Sequence, residues 1–261
     1  MKAIFLADAH LKREKDTGYR YLMRFFDLLE GTVKIDKQET EPPCYETAGH
    51  PISIDNLFIV GDFFDFWFCK NNHIYPEFRA IISKLIELKM RGIRIHFCEG
   101  NHDFFMKNYF SRILGMTVST EWKVFDFDDQ RVLVSHGDTI DRLNIKYLLL
   151  RKILRSTIFY RVQQVIPSSL LWGLARISSN ISKELSSETE DKLVEKMLTF
   201  SLKKFREGFD TVILGHCHKP FLKEYTIDER RKTFATTGDW IKRYSYLYYE
   251  DGRFTLSYYK P

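Results

Sequence analysis

Short apolar runs, each closed by a polar cluster, punctuate the chain: Ala3-Ile4-Phe5-Leu6, Leu57-Phe58-Ile59-Val60, Ile93-Arg94-Ile95-His96-Phe97, Arg131-Val132-Leu133-Val134 and Thr211-Val212-Ile213-Leu214. Their length and their abrupt polar ends predict strands. Helical spacing lies between several of them, over Tyr19 to Leu29 and Glu77 to Met90. The second segment brings Phe78, Ile81, Ile82, Leu85, Ile86 and Leu88 near one face of a 3.6-residue period. Thr32 to Asp55 is polar, contains Pro42-Pro43 and Gly49, and predicts a long loop or insertion. Hairpins are predicted at Asp128-Asp129-Gln130 and at Glu250-Asp251-Gly252, where Asp-Gly favours a tight turn. The Tyr-rich tail from Tyr244 to Tyr259 fits the second of these. Ile140 to Phe205 reads as almost wholly helical, broken near Pro167. No internal repeat is visible. The expected body is a layered α/β domain spanning 1–261, with a helical segment, 140–206, inserted between the fourth and fifth of the apolar runs.

Composition narrows the class. With 261 residues, 44% hydrophobic and 29% charged, the chain can bury a sizeable core. Thirteen Gly and seven Pro exclude collagenous or linker-dominated character. No uncharged stretch reaches the ~18–20 apolar residues of a membrane span. MKAIFLADAH lacks a signal-peptide core, and the dispersed cysteines Cys44, Cys69, Cys98 and Cys217 form no CxxC pair. The expected compartment is the cytosol.

The net charge of +5 is mild, but its distribution is not even. Arg142, Lys146, Arg151, Lys152, Arg155, Arg161, Arg176 and Lys183 fall in a window without any Asp or Glu, so the rest of the chain is net acidic. The window also holds Leu148, Leu149, Leu150, Ile153, Leu154, Ile158, Phe159, Leu170, Leu171 and Trp172. Basic side chains beside apolar faces suit an anionic membrane surface or an amphiphilic anionic ligand. A core helix pair with solvated Lys and Arg is the plainer alternative.

The candidate chemistry sits at the ends of the predicted strands. In order they deliver Asp8-Ala-His10, Gly61-Asp62-Phe-Phe-Asp65, Gly100-Asn101-His102-Asp103, His136-Gly137-Asp138 and Gly215-His216-Cys217-His218. The carboxyl ends of strands in an α/β sheet form one rim, so residues far apart in sequence can converge there. Carboxylates, an amide oxygen and imidazoles suit intermediate divalent ions such as Mn, Fe or Zn. More than six such ligands are too many for one ion and enough for two. A pair of ions can acidify water and clamp a phosphoryl group during in-line attack. Each cluster alone is weak, since a lone Asp-x-His is usually a turn or a packed imidazole. The ordered set is strong.

Together, DAH, GDFFD, GNHD, HGD and GHCH resemble the calcineurin-like metallophosphoesterases over residues 8 to 218. The resemblance implies an α/β fold, a four-layer αββα sandwich with a helical cap insertion, and a two-metal centre at one sheet edge. By motif, Asp8, His10, Asp62 and His218 would hold one divalent ion, while Asp62, Asn101, His136 and His216 would hold the other. Manganese is the expected metal, with iron or zinc as alternatives. His102 would sit by the leaving-group oxygen, and Asp65 and Asp103 would orient the loops.

The GDFFDFW block, HGDT, the following helical segment and GHCHKP are similar to the UDP-2,3-diacylglucosamine pyrophosphatases of lipid A biosynthesis. Such enzymes yield UMP and the acylated sugar 1-phosphate at the inner face of the bacterial membrane. That likeness implies a UDP-linked acylated glucosamine substrate and a peripheral position on an anionic inner-membrane surface. No nucleic-acid ligand and no obligate protein partner are expected. Tyr147, Arg176, Ser179 and Lys183 match substrate-contacting positions in the cap. The chain departs from the best-known branch at His102, where that branch has Arg, and in the length of the 32–55 segment.

Two other functions compete. A nuclease or cyclic-nucleotide phosphodiesterase would keep the chemistry and use the basic window for a polyanion, with steep salt dependence. A metal-stabilised membrane-binding module would have no turnover. Phe63, Phe64, Phe66, Trp67 and Phe68 could wall an acyl-chain channel or form local core. Cys217 is expected to pack rather than bind metal, and His50, His73 and His96 carry no motif.

Overall fold

Alternate residues of each apolar run bury against different neighbours, and that alternation builds the layers. The structure is a computed structural model and describes residues 1–31, 51–70, 72–167, 170, 171, 173 and 189–260. The predicted contacts Arg176, Ser179 and Lys183, and most of the 32–55 segment, lie outside the described residues.

In chain order the strands are β1 (Ala3–Leu6), β2 (Leu29–Gly31), β3 (Ile52–Ile54), β4 (Asn56–Val60), β5 (Cys69–Lys70), β6 (His73–Ile74), β7 (Arg94–Cys98), β8 (Thr117–Ser119), β9 (Lys123–Phe127), β10 (Gln130–Ser135), β11 (Thr211–Leu214), β12 (Pro220–Ile227), β13 (Arg230–Thr237), β14 (Ser245–Glu250) and β15 (Arg253–Tyr258). The helices used below are α1 (Thr17–Asp27), α2 (Arg79–Met90), α3 (Ile145–Leu154), α4 (Thr157–Val165) and α5 (Glu190–Arg206).

One sheet has the order β15-β14-β1-β4-β7-β8, with β1, β4, β7 and β8 parallel and the β14-β15 hairpin antiparallel at the edge. The other has the order β12-β13-β11-β10-β9, with β10, β11 and β13 parallel. Ala3, Phe5, Phe58 and Val60 of the first share a core with Val132, Val134, Ile213 and Ala235 of the second. Phe5 stacks on Phe58 there at 4.4 Å between ring centroids. Truncating such a ring to alanine costs about 3–5 kcal/mol.

The intervening residues Ile4, Leu6, Leu57 and Ile59 point the other way, onto Leu22 and Phe25 of α1 and Ile81 and Leu85 of α2. Leu133, Val212 and Leu214 likewise pack on Val194, Met197 and Phe205 of α5. Both faces of both sheets are covered, which is why the central strands read as continuous apolar runs. The result is the four-layer αββα sandwich.

Several local expectations need adjusting. The first helix stops at Asp27, and Leu29 opens β2, which pairs in parallel with β3, so the end of the predicted loop is strand. The two hairpin turns form as expected, with Asp251 and Gly252 both at positive φ. Strand β12 was not anticipated, because none of its residues is buried and the charged pair Lys223-Glu224 interrupts its apolar positions. Phe63, Phe64, Phe66 and Trp67 are local core beside α1 and α2.

Within 140–206, α5 is an outer layer of the sandwich, whereas α3 and α4 bury no residue. Both short helices start on side-chain caps, Asn144 accepting from the Tyr147 N–H and Ser156 from the Phe159 N–H. They lie over the edge where the parallel strands end, held by Arg155, Tyr160 and Gln164.

Candidate metal centre

Five of the strands, β1, β4, β7, β10 and β11, release their chains at one edge, and the loops lock to one another there. The Asp8 N–H donates to the Gly61 carbonyl at 3.1 Å, and the Gly215 N–H to the His136 carbonyl at 3.0 Å. The sheets are joined across the edge by the His216 N–H donating to Asp8 Oδ2 at 2.8 Å and by His136 Nδ1 meeting the Val60 carbonyl at 3.0 Å.

The turns are sharp enough that Asp8, His10, Asp62, His216 and His218 all have positive φ, between 43° and 67°. Such left-handed backbone is uncommon away from glycine and collects at functional sites. Gly100 is needed for a different reason. A Cβ there would stand 2.1 Å from Asp62 Oδ1.

Side chains predicted from motif spacing come together in three groups, one of them His10, Asp65 and His102, which shares His10 with the first of the two described next. The donor atoms of Asp8, His10 and His218 lie within 4.8 Å of one another, as do those of Asp62, His136 and His216. Asp62 stands between them, its Oδ2 being 3.7 Å from His10 Nε2 and 3.4 Å from His136 Nε2. Asn101 joins the second group, its Oδ1 lying 3.0 Å from His136 Nε2. His102 is set by its N–H donating to Asp62 Oδ1 at 2.9 Å and by Nδ1 facing the Asp65 carbonyl at 3.0 Å. Its ring meets that of His10 edge-on, with centroids 4.8 Å apart.

The polar atoms are mismatched in a way that tests for a cation. His136 Nδ1 faces a carbonyl and so carries hydrogen, which in the neutral ring leaves Nε2 a lone pair. That lone pair faces the Asn101 amide oxygen and an Asp62 oxygen, so three acceptors converge. A metal ion, or a proton on His136, would resolve that arrangement. Asp8 Oδ1 and both ring nitrogens of His10 are buried without a hydrogen-bond partner, a costly state for polar atoms. This donor set fits two intermediate divalent ions.

With no ion bound, the buried groups titrate in opposite directions. Burial pushes Asp8 up to about 6, with the neighbouring imidazoles opposing. Burial holds His10 well below its usual range and His216 down to about 4, keeping both neutral, the state a metal ligand requires. Burial works against ionisation of Asp62, yet the charges of His136 and His102 hold its carboxyl well below the carboxylate range. His136 answers in kind: burial opposes its charge, and Asp62 overcomes this to raise it to about 10.

Asp103 lies beneath, accepting from the N–H groups of Asp62, Phe63, Phe64 and Gly100 at 2.7–3.2 Å. Asp65 Oδ1 faces His10 Nδ1 at 3.7 Å and Lys12 Nζ at 3.3 Å. Cys217 is turned away into the second sheet's core, as expected from its position between His216 and His218.

Tyr147 reaches the centre's margin, its hydroxyl donating to Asp138 Oδ2 at 2.7 Å. Sequence reasoning missed its neighbours. Arg151 donates from Nε to the same oxygen at 2.7 Å, and Arg155 reaches Glu99 and the Gly100 carbonyl. Both were assigned to one basic surface, whereas the structure turns them inward. The signal was present: Tyr147, Arg151 and Arg155 follow at intervals of four, a single helical stripe. Arg243 was also missed. It donates to the His218 carbonyl at 3.1 Å while paired with Asp239 and Glu190.

The calcineurin-like phosphoesterase family profile matches residues 1–220, and the chain belongs to that family. It is a metal-dependent hydrolase. Among its relatives is a protein of Aeromonas salmonicida named UDP-2,3-diacylglucosamine hydrolase, 27% identical over 250 residues, covering 95% of this chain and 89% of that one. A protein of Pseudomonas entomophila with the same name is 27% identical over 262 residues, covering 97% of each. A solved archaeal phosphodiesterase is 12% identical with a TM-score of 0.47, covering 99% of this chain and 100% of that one.

Proposed function

We propose that the chain hydrolyses the pyrophosphate of UDP-2,3-diacylglucosamine, giving UMP and 2,3-diacylglucosamine 1-phosphate. The observation that carries this reading is the convergence of two Asp/His groups on Asp62, at an edge overhung by two helices with exposed apolar faces. The named relatives, similar over almost the whole chain, support the substrate.

Asp8, His10, Asp62 and His218 would hold one divalent ion and Asp62, Asn101, His136 and His216 the other, with manganese expected and iron or zinc as alternatives. Bound there, the ions would acidify water and take up negative charge on the phosphoryl oxygens. The protein's own part is positional. Asp62 and Asn101 fix the spacing of the two groups, and the Asp103 carboxylate fixes the loop beneath them. Water oxygen would bond to the uridine-side phosphorus with loss of a proton to solvent, while the bridging P–O bond breaks and its electron pair leaves with the sugar phosphate. His102 supports that departing oxygen, its ring oriented by the Asp65 carbonyl.

Within the 140–206 insertion, α3 and α4 would receive the lipid. Leu143, Ile145, Leu149, Ile153, Ile158 and Val165 are exposed around α3 and α4, with Lys146, Lys152 and Arg161 exposed among them. An apolar face of this size, rimmed by positive charge, suits acyl chains and an anionic inner-membrane surface. Tyr147, with Arg176, Ser179 and Lys183, would contact the sugar and phosphates.

Hydrolysis of the UDP lipid in oxygen-18 water tests the reading, with the label expected in UMP. Label in the sugar phosphate would reverse the assigned direction of attack. Absence of UMP with manganese, iron and zinc alike would remove the substrate.

A further inference from the structure

Helix α3 has two faces. Ile145, Leu149 and Ile153 form an exposed apolar stripe, while Tyr147, Arg151 and Arg155 form an opposite stripe directed at the metal loops. Arg151 and Tyr147 share one oxygen of Asp138, two residues beyond His136. Arg155, at the C-terminal cap of α3, is engaged more closely. Its Nη1 donates to Glu99 Oε2 at 2.8 Å and its Nη2 to the Gly100 carbonyl at 2.6 Å. The guanidinium also lies 5.3 Å from the centre of the Phe104 ring.

Glu99 extends the contact. Its other oxygen accepts from the Met106 N–H at 2.8 Å, and its side chain is only 2% exposed. The 99–106 loop is therefore tied at both ends to one guanidinium, either directly or through Glu99. Between those ties stand Asn101 and His102. The peptide accepting the Nη2 bond is the one that leads directly into Asn101, so the bond sets the plane from which that side chain departs.

We propose that Arg155 is a positioning residue that couples α3 to the Asn101–His102 loop, so that the seating of the cap helix sets the geometry of the second metal group. This rests on the two-metal reading above. Tyr147 and Arg151 act on the His136 loop through Asp138 from the same stripe, making α3 a single strut across both loops. Lys at position 155 could keep the charge but lacks the planar fork that reaches two acceptors.

Mn²⁺ titration followed by calorimetry and electron paramagnetic resonance tests this on Arg155→Met, Arg155→Lys and Glu99→Gln, with Lys203→Met, an exposed lysine of α5, as control. Wild type and control are expected to take up two ions with an exchange-coupled signal. Arg155→Met is expected to keep one ion and bind the second about 10–100-fold more weakly, replacing the coupled signal with a mononuclear one. With bis(p-nitrophenyl) phosphate its kcat should fall by about the same factor while KM moves less than about threefold, and Arg155→Lys should lie between the two. A coupled signal and kcat unchanged in Arg155→Met overturn the proposal while leaving the metal centre intact. Should that variant fail to fold, wild-type behaviour in both Arg155→Lys and Glu99→Gln overturns it equally. No coupled pair in wild type defeats the two-metal reading and this proposal together.

Discussion

Asp62 is the residue on which both groups of ligands depend. Asp62→Ala removes the carboxylate whose Oδ2 lies 3.7 Å from His10 and 3.4 Å from His136, and should lower phosphodiesterase kcat by at least about 10³-fold while the fold persists. Circular dichroism with turnover of a chromogenic diester checks both halves. His96, away from the centre, gives a separate test. It stacks on Phe58 and faces Asn56, and burial, aided by Arg94 and Lys123, holds it down to about 4. The unfolded chain takes up this proton near pH 6.5 and the folded chain does not. This share of stability is therefore complete above pH 6.5 and is lost as pH falls towards 4, by an amount on the order of 1–3 kcal/mol. Urea midpoints between pH 7 and 4 should fall less steeply in His96→Phe than in wild type. Individual ligands were legible because each falls in a short polar cluster directly after an apolar strand. Arg151, Arg155 and Arg243 were not, because their partners lie on other elements and a charged residue in a helix usually faces water.

The strands were readable as elements because both faces of the central ones are buried, leaving no polar position to interrupt the pattern. Edge strands escaped for the complementary reason: β12 has no buried residue, carries adjacent charges at Lys223 and Glu224, and borrows its order from β13. The basic window was read as one surface, yet its helix divides, with two arginines inward and the leucines outward. The outward face makes a prediction at this scale. Leu149→Asp with Ile153→Asp should weaken binding to phosphatidylglycerol-containing vesicles by about tenfold or more, with little effect on hydrolysis of a water-soluble diester. Flotation of protein with vesicles measures the first and a chromogenic assay the second. Gly100→Ala probes the loop between elements. Its Cβ would collide with Asp62, and the expected result is loss of Mn²⁺ affinity together with a lower unfolding temperature.

For the whole molecule, five strand ends carrying ligands implied one shared edge for residues 8 to 218, while the αββα layer order was implied by the family resemblance. What the pattern could not reveal was how firmly the sheets are joined there. Asp8, Val60, His136 and His216 bridge them at the centre itself. Ions bound at that seam should stabilise the entire fold by mass action, by about 2.7 kcal/mol at a free concentration a hundred times Kd. Thermal unfolding should show a lower Tm after chelation, restored by manganese. Equal Tm values with and without metal would mean that the ions do not bridge the layers.

The left-handed turns at Asp8, His10, Asp62, His216 and His218 carry a historical consequence. Each keeps the chain in a conformation it would rather leave, so selection for stability alone would favour Gly or Asn there. His218→Asn should thus make the ion-free protein more heat-resistant, by up to about 1 kcal/mol, while silencing it. A descendant no longer required to cut phosphates would be expected to lose its turns' tension first, keeping the sandwich long after its chemistry had gone.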